Sequence, residues 1–256
     1  MWLKRIVRAY RAENQILPPT VIDEHFVPHY GLDLAKYIEI GDLGGVHHLI
    51  RYSWAVRVLA DLPIGATVLD IACGSGYGSH LIAKTYPHLR VVGADYDQSA
   101  VSAARAAHLL PNLEFKFGDV TSWEDSIGPV EFDCIVSFDT IEHVEHRELM
   151  MESLVRHLRN TGCLLFSTPC GSAINNLHPS WRHHHLEYST ASLYDFLRRY
   201  FGEVIGSDTS GFPHLDEFDQ LKGTGISYLL LLNPVVCRNP ILIENPYHVT
   251  ARAVGD

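Results

Sequence analysis

Long apolar runs are missing from most of these 256 residues. The opening MWLKRIVRAY interrupts its apolar residues with charge and is not followed by the ~7 apolar residues a signal peptide needs. It reads as an amphipathic helix, not as a membrane anchor or span. Basic clusters are missing too. Twenty Lys+Arg stand against thirty Asp+Glu, a formal charge of −10, and no stretch gathers enough cations to neutralise a row of phosphates. That excludes duplex nucleic acid as the expected partner. Cysteine is scarce: Cys73, Cys134, Cys163, Cys170 and Cys237 are odd in number and never spaced C-x-x-C. Neither a disulfide framework nor a zinc clip is signalled, and a reducing, cytoplasmic setting is expected. There is no internal repeat, low-complexity tract or long linker, so one structural domain is expected.

What is present is a regular alternation. From Ala66 the apolar runs TVLDIA, RVVGAD, LEFKF, FDCIVSF and CLLFST alternate with helical patterns over 77–86, 98–109 and 141–159. A helix over 190–200, a strand near 203–208 and the run GISYLLLLNP at 225–234 bring the count to about seven strands. Such βαβ alternation predicts an α/β fold, a Rossmann-like doubly wound sheet that is mostly parallel. Residues 1–60, with helix-like pieces around Pro18-Pro19 and Pro28, read as an N-terminal helical appendage to a main unit over 61–256. Segments 170–188 and 209–224 are long enough to be loops over a site.

Ligands of such sheets bind at the carboxyl ends of the strands. Four polar landmarks fall there: Asp70 with Gly74, Gly76 and Gly78; Asp95; Asp119; and Asp139 with Glu142 and His143. The glycines allow a sharp turn and close approach of backbone to ligand, and the helix start at Tyr77 offers free N–H groups. Asp95, ending the second strand, suits a pair of ribose hydroxyls, so a nucleoside is implied. Ser79 stands where a dinucleotide fingerprint wants glycine, and Asp70 would repel a pyrophosphate while suiting an ammonium and a sulfonium. A nicotinamide-dependent oxidoreductase and a non-catalytic cofactor binder remain the alternatives from other classes. The first would want glycine at 79, and the second would lack the polar residues after the fourth strand.

With its D-x-x-x-G-x-G pattern the sequence resembles the class I S-adenosylmethionine-dependent methyltransferases over roughly residues 45–235. The resemblance implies that Asp70 and the 73–78 loop face the methionine part and that Arg51 lies near its carboxylate. It places Asp95 at the ribose and Asp119 at the adenine, with Tyr77, Tyr96, Val120 and Phe138 completing the cofactor-binding set. FDTIEHV at 138–144 and LLFSTP at 164–169 look like the UbiG-like branch, and VHHLIRYSWA at 46–55 is similar to enzymes of sugar and surface-polysaccharide pathways. A hydroxyl of a sugar or oligosaccharide is therefore the expected acceptor, with a quinone or natural-product hydroxyl as the alternative, and a homodimer is allowed. Fifteen Arg against five Lys suit a GC-rich genome and admit the mycobacterial methylmannose-polysaccharide methyltransferases as one such type.

A sugar hydroxyl attacks only as its proton leaves, so a base or a metal ion is required. Asp139, Glu142 and His143 are spaced i, i+3, i+4, as if sharing one helical turn, and suit Mg²⁺ or Mn²⁺. Similar ubiquinone and small-RNA 2′-O-methyltransferases carry E-x-x-E-H here; this chain has Asp139 in the first position. In HPSWRHHHLEY at 178–188, His184 with Glu187 and Tyr188 matches an H-x-x-E-Y pattern and supplies a fourth metal ligand. Asp139, His143 and His146 are the candidate catalytic residues.

Overall fold

The computed structural model describes residues 25–122, 127, 130–170, 184–207, 209, 211–215 and 232–242. The helix read at the start of the chain, the Pro18-Pro19 region and most of the two long loops lie outside these residues. Seven strands form one sheet: β1 (Thr67–Ile71), β2 (Arg90–Asp95), β3 (Leu113–Phe117), β4 (Phe132–Phe138), β5 (Leu158–Ser167), β6 (Phe201–Gly206) and β7 (Val235–Pro240). Their order is β3-β2-β1-β4-β5-β7-β6. The first five are parallel, and β7 lies antiparallel between β5 and β6. The order in which strands are added reverses between the parallel β1 and β4, which opens a crevice at their carboxyl ends.

The helices are α1 (Leu34–Ile40), α2 (Leu43–Val58), α3 (Tyr77–Thr85), α4 (Gln98–Ala107), α5 (Arg147–Arg156) and α6 (Thr190–Leu197). Central strands covered on both faces need unbroken apolar runs. Successive residues of β1 accordingly serve opposite faces. Val68 joins a cluster with Leu49, Ile50, Trp54 and Ala55 of α2, and Leu69 joins one with Met150, Met151 and Leu154 of α5. Gly41, at φ 75°, ends α1, and the Asp42 side chain then accepts the Gly45 N–H to start α2. The helices expected as an appendage thus share the apolar core of the sheet. Trp54 is fully buried, stacks on Phe212 at 5.3 Å and donates its indole N–H to the Pro213 carbonyl at 3.0 Å.

Three elements depart from the sequence reading. The helix expected over 141–159 is a 3₁₀ turn, Ile141–His143, followed by α5 from Arg147 and by a β5 that already begins at Leu158. The break is at Val144, whose extended φ of −97° and ψ of 124° end the turn before α5 can begin. The last strand, expected at 225–234, is β7 at Val235–Pro240, carried by the buried Val235, Val236 and Cys237; residues 225–231 lie outside the described ones. β6 lies two residues earlier than expected, at Phe201–Gly206. Among the described residues no helix is long and apolar enough to cross a membrane.

Because α2 fills the core, Trp54→Ala is expected to lower the unfolding free energy by about 3–5 kcal/mol in a urea titration. A loss below about 1 kcal/mol would make α2 the peripheral attachment read from the sequence.

Candidate functional site

β1 delivers Asp70 to the crevice, and the chain then turns through Ala72, Gly74 and Gly76 at φ of 59°, 53° and 77°. A Cβ on Gly76 would stand 2.6 Å from the Phe115 ring, and one on Gly78 would stand 2.1 Å from the Tyr52 ring. The third glycine therefore admits α2 against α3 and makes no turn. Asp70 is fully buried; Tyr52 donates its hydroxyl to Oδ1 at 2.9 Å and Ser79 donates to Oδ2 at 2.6 Å. Ser79 at the dinucleotide-glycine position is thus a ligand of Asp70, a role the sequence reading missed. Burial pushes the Asp70 carboxyl up to about 7, against the hydrogen bonds from Ser79 and Tyr52 that favour its charge and with the nearby Asp95 adding to the rise.

Asp95, 2% exposed at the end of β2, accepts from the Gly74 N–H at 2.8 Å and from the Asp97 N–H at 3.0 Å. Tyr96 beside it is exposed, Val120 and Phe138 are buried, and exposed Asp119 accepts from the N–H and hydroxyl of Thr121. Tyr77 opens α3 with its ring against Tyr52. Residues 25–27 cross this loop. Ser75 donates to the Phe26 carbonyl at 2.6 Å, His25 Nε2 lies 3.1 Å from Asp97 Oδ2, and the Phe26 ring stacks on His48 at 4.4 Å. No sequence motif marks this strap; its contacts are all long-range.

At the end of β4 the structure corrects the expected metal set. Asp139 does not share a turn with Glu142 and His143: its carboxylate pairs with Arg51, a guanidinium 1% exposed that also lies over the Phe138 ring. Burial opposes the Asp139 charge, but the Arg51 cation outweighs it and holds the carboxyl below its usual range. Burial, followed by the same cation, lowers His47 to about 4 and His48 to about 3, so both are neutral at pH 7.

Glu142, His143 and His184 do come together, with one ligand atom from each within 4.8 Å of the others. Glu142 is 1% exposed; Thr168 donates to its Oε2 at 2.7 Å, and buried Oε1 has no hydrogen-bond partner among the described residues. Burial first and the Asp139 charge second push the Glu142 carboxyl well up. Such an oxygen beside two imidazoles suits a divalent cation. His143 and His184 meet edge to face at 4.8 Å, and the His185 N–H donates to the Glu142 carbonyl at 2.7 Å. His146, expected as a base, is instead the exposed N-cap of α5 and is not brought into this group.

A carboxyl raised from 3.8 to about 7 keeps its proton in the fold while the unfolded chain has lost it. Its contribution to stability is present below about pH 4 and is lost as pH rises through 7. Asp70→Asn should therefore flatten the decline in unfolding free energy between those values, measured by urea titration at several pH. An unchanged slope would show that Asp70 titrates normally.

Residues 64–207, more than half of the chain, match the methyltransferase domain family. A probable S-adenosylmethionine-dependent methyltransferase of Mycolicibacterium smegmatis is 29% identical over 184 residues, covering 70% of this chain and 64% of the relative. A trans-aconitate 2-methyltransferase of Azoarcus is 32% identical over 114 residues, covering 44% of this chain and 43% of the relative. This chain thus spans less than two thirds of either. Among solved structures, Haemonchus contortus phosphoethanolamine N-methyltransferase 2 in complex with S-adenosyl-L-methionine superposes with a TM-score of 0.52 at 17% identity, over 84% of this chain and 62% of that one, a likeness of fold. With the expected glycine loop and strand-end carboxylates in place at the reversal point of its sheet, the chain belongs to the class I S-adenosylmethionine-dependent methyltransferases.

Proposed function

We propose that the protein transfers a methyl group from S-adenosylmethionine to a hydroxyl of a sugar or oligosaccharide, in the manner of the UbiG-like branch, with Mg²⁺ or Mn²⁺ at the end of β4. One observation carries this reading: the glycine cradle with Asp95 and the orphaned Glu142 oxygen with its two histidines stand at neighbouring strand ends of one crevice. Bound S-adenosylmethionine supplies a methyl group on a sulfonium. The Gly74 and Gly76 backbone admits the methionine part, and Asp95 holds the ribose hydroxyls. Asp119 and Val120, with Tyr96, flank the adenine. Arg51, pinned by Asp139, presents positive charge to the cofactor's carboxylate. Asp70, held by Tyr52 and Ser79, faces the opposite charge.

Glu142, His143 and His184 would hold the divalent ion, which when bound supplies a Lewis acid that lowers the hydroxyl pKa. In the absence of an ion, exposed His143 is the group placed to take that proton. The two named relatives act on trans-aconitate and on phosphoethanolamine, so the fold leaves the acceptor to the site. The 46–55 stretch supports the saccharide hydroxyl, while FDTIEHV and LLFSTP support the UbiG-like branch.

Two measurements test the assignment. Isothermal titration should show S-adenosylmethionine binding and no NAD binding. Asp95→Ala should weaken the former about 10-fold or more, since the ribose hydroxyls lose a charged partner. An unchanged affinity would remove Asp95 from the cofactor site. Methyl transfer to an oligosaccharide should stop with EDTA and return with Mn²⁺, and His143→Ala should lose roughly 100-fold in rate. Full activity after exhaustive chelation would remove the ion and leave His143 as base; wild-type rates in His143→Ala would then place the chemistry elsewhere.

A further inference from the structure

We propose that Thr168 and Glu187 are the positioning residues of the cation site, each holding one ligand side chain by the atom that the ion does not take. The inference rests on the reading of Glu142, His143 and His184 as a divalent-cation site. Thr168 follows the last residue of β5 and is 1% exposed. Its hydroxyl, donated to Glu142 Oε2 at 2.7 Å, occupies one carboxylate oxygen and leaves the buried Oε1 with none of the described groups as partner. The carboxylate is thereby fixed about a single free oxygen.

Glu187 does the corresponding work on His184. It is 3% exposed, and its Oε1 lies 2.7 Å from His184 Nδ1. A carboxylate at Nδ1 accepts the hydrogen bond of an Nδ1–H and so fixes the tautomer whose lone pair stands on Nε2, the form a metal ion requires, and it makes that nitrogen more basic. The His185 N–H, donated to the Glu142 carbonyl at 2.7 Å, clips the segment bearing His184 and Glu187 to the turn bearing Glu142 and His143. Both positioning groups therefore come from the β5 side of the crevice, while two of the three ligands come from the β4 side.

A role confined to satisfying buried polar groups would leave ion affinity untouched in any variant that still folds. The test is calorimetric titration of Mn²⁺ into the full chain after EDTA treatment, with S-adenosylmethionine affinity measured on the same samples as a check of fold. Glu187→Ala and Thr168→Val should weaken Mn²⁺ binding about 10–100-fold while leaving S-adenosylmethionine binding within twofold. Thr168→Ser, which keeps the hydroxyl, should recover most of the loss. Glu187→Gln, which still accepts from Nδ1 but carries no charge, should fall between Ala and the native residue. The near-isosteric Thr168→Val and Glu187→Gln carry the test if Glu187→Ala does not fold. Variants that bind S-adenosylmethionine normally and Mn²⁺ as tightly as the native protein would overturn the positioning roles alone. A native protein that binds no Mn²⁺ at millimolar concentration would overturn the cation site and these roles with it.

Discussion

The ion pair between Arg51 and Asp139 ties the N-terminal helices to the centre of the sheet. Arg51 comes from the middle of α2, Asp139 from the position just after β4, and the guanidinium is almost wholly removed from water. A buried cation is tolerated only against a matched anion, and removing either partner leaves the other uncompensated at a cost of several kcal/mol. Much else follows from that requirement. Asp139 stands in a left-handed conformation, the chain beyond it tightens into a 3₁₀ turn, and that turn brings Glu142 close enough to Asp139 for the Asp139 charge to raise its carboxyl.

Four carboxylates crowd the strand ends of this crevice, and each is handled by different chemistry. Asp139 is balanced by a cation. Asp95 is bound by main-chain amides, Asp70 by two hydroxyls, and Glu142 by a single hydroxyl on one oxygen only. Burial raises Asp70 and Glu142, while Asp139 is held low. Environments that separate the proton affinities of neighbouring acids are a mark of functional sites. The two raised carboxyls are the ones with most to gain from positive charge brought by a ligand.

The sheet and the glycine loop were legible because their signals are local. Short unbroken apolar runs, closely spaced glycines and an acid ending a strand all sit within a few residues of one another. His184 was legible for the same reason, through the H-x-x-E-Y spacing. Asp139 was not, since the i, i+3, i+4 spacing is identical in a helix and in a chain bent by one left-handed residue, and its partner is 88 positions away in sequence. The strand VVCRNP, whose three buried residues suffice once β5 and β6 flank it, was passed over for the longer apolar run at 225–234, most of which lies outside the described residues. The role of Ser79 could have been found by asking why a hydroxyl replaces glycine beside an acid that needs a donor.

The strap over the glycine loop bears on the timing of events in the crevice. It is held there by the Ser75–Phe26 hydrogen bond, the His25–Asp97 contact and the Phe26 ring, which stacks on His48 and meets Tyr37 and Tyr77 edge to face, and it joins α1 through Gly31 at φ 74°. Lifting it parts Phe26 from three rings but breaks no strand pairing, so it is a local opening and not an unfolding of the sheet. The residence time of anything seated beneath it is then set by that aromatic cluster and not by the stability of the whole molecule.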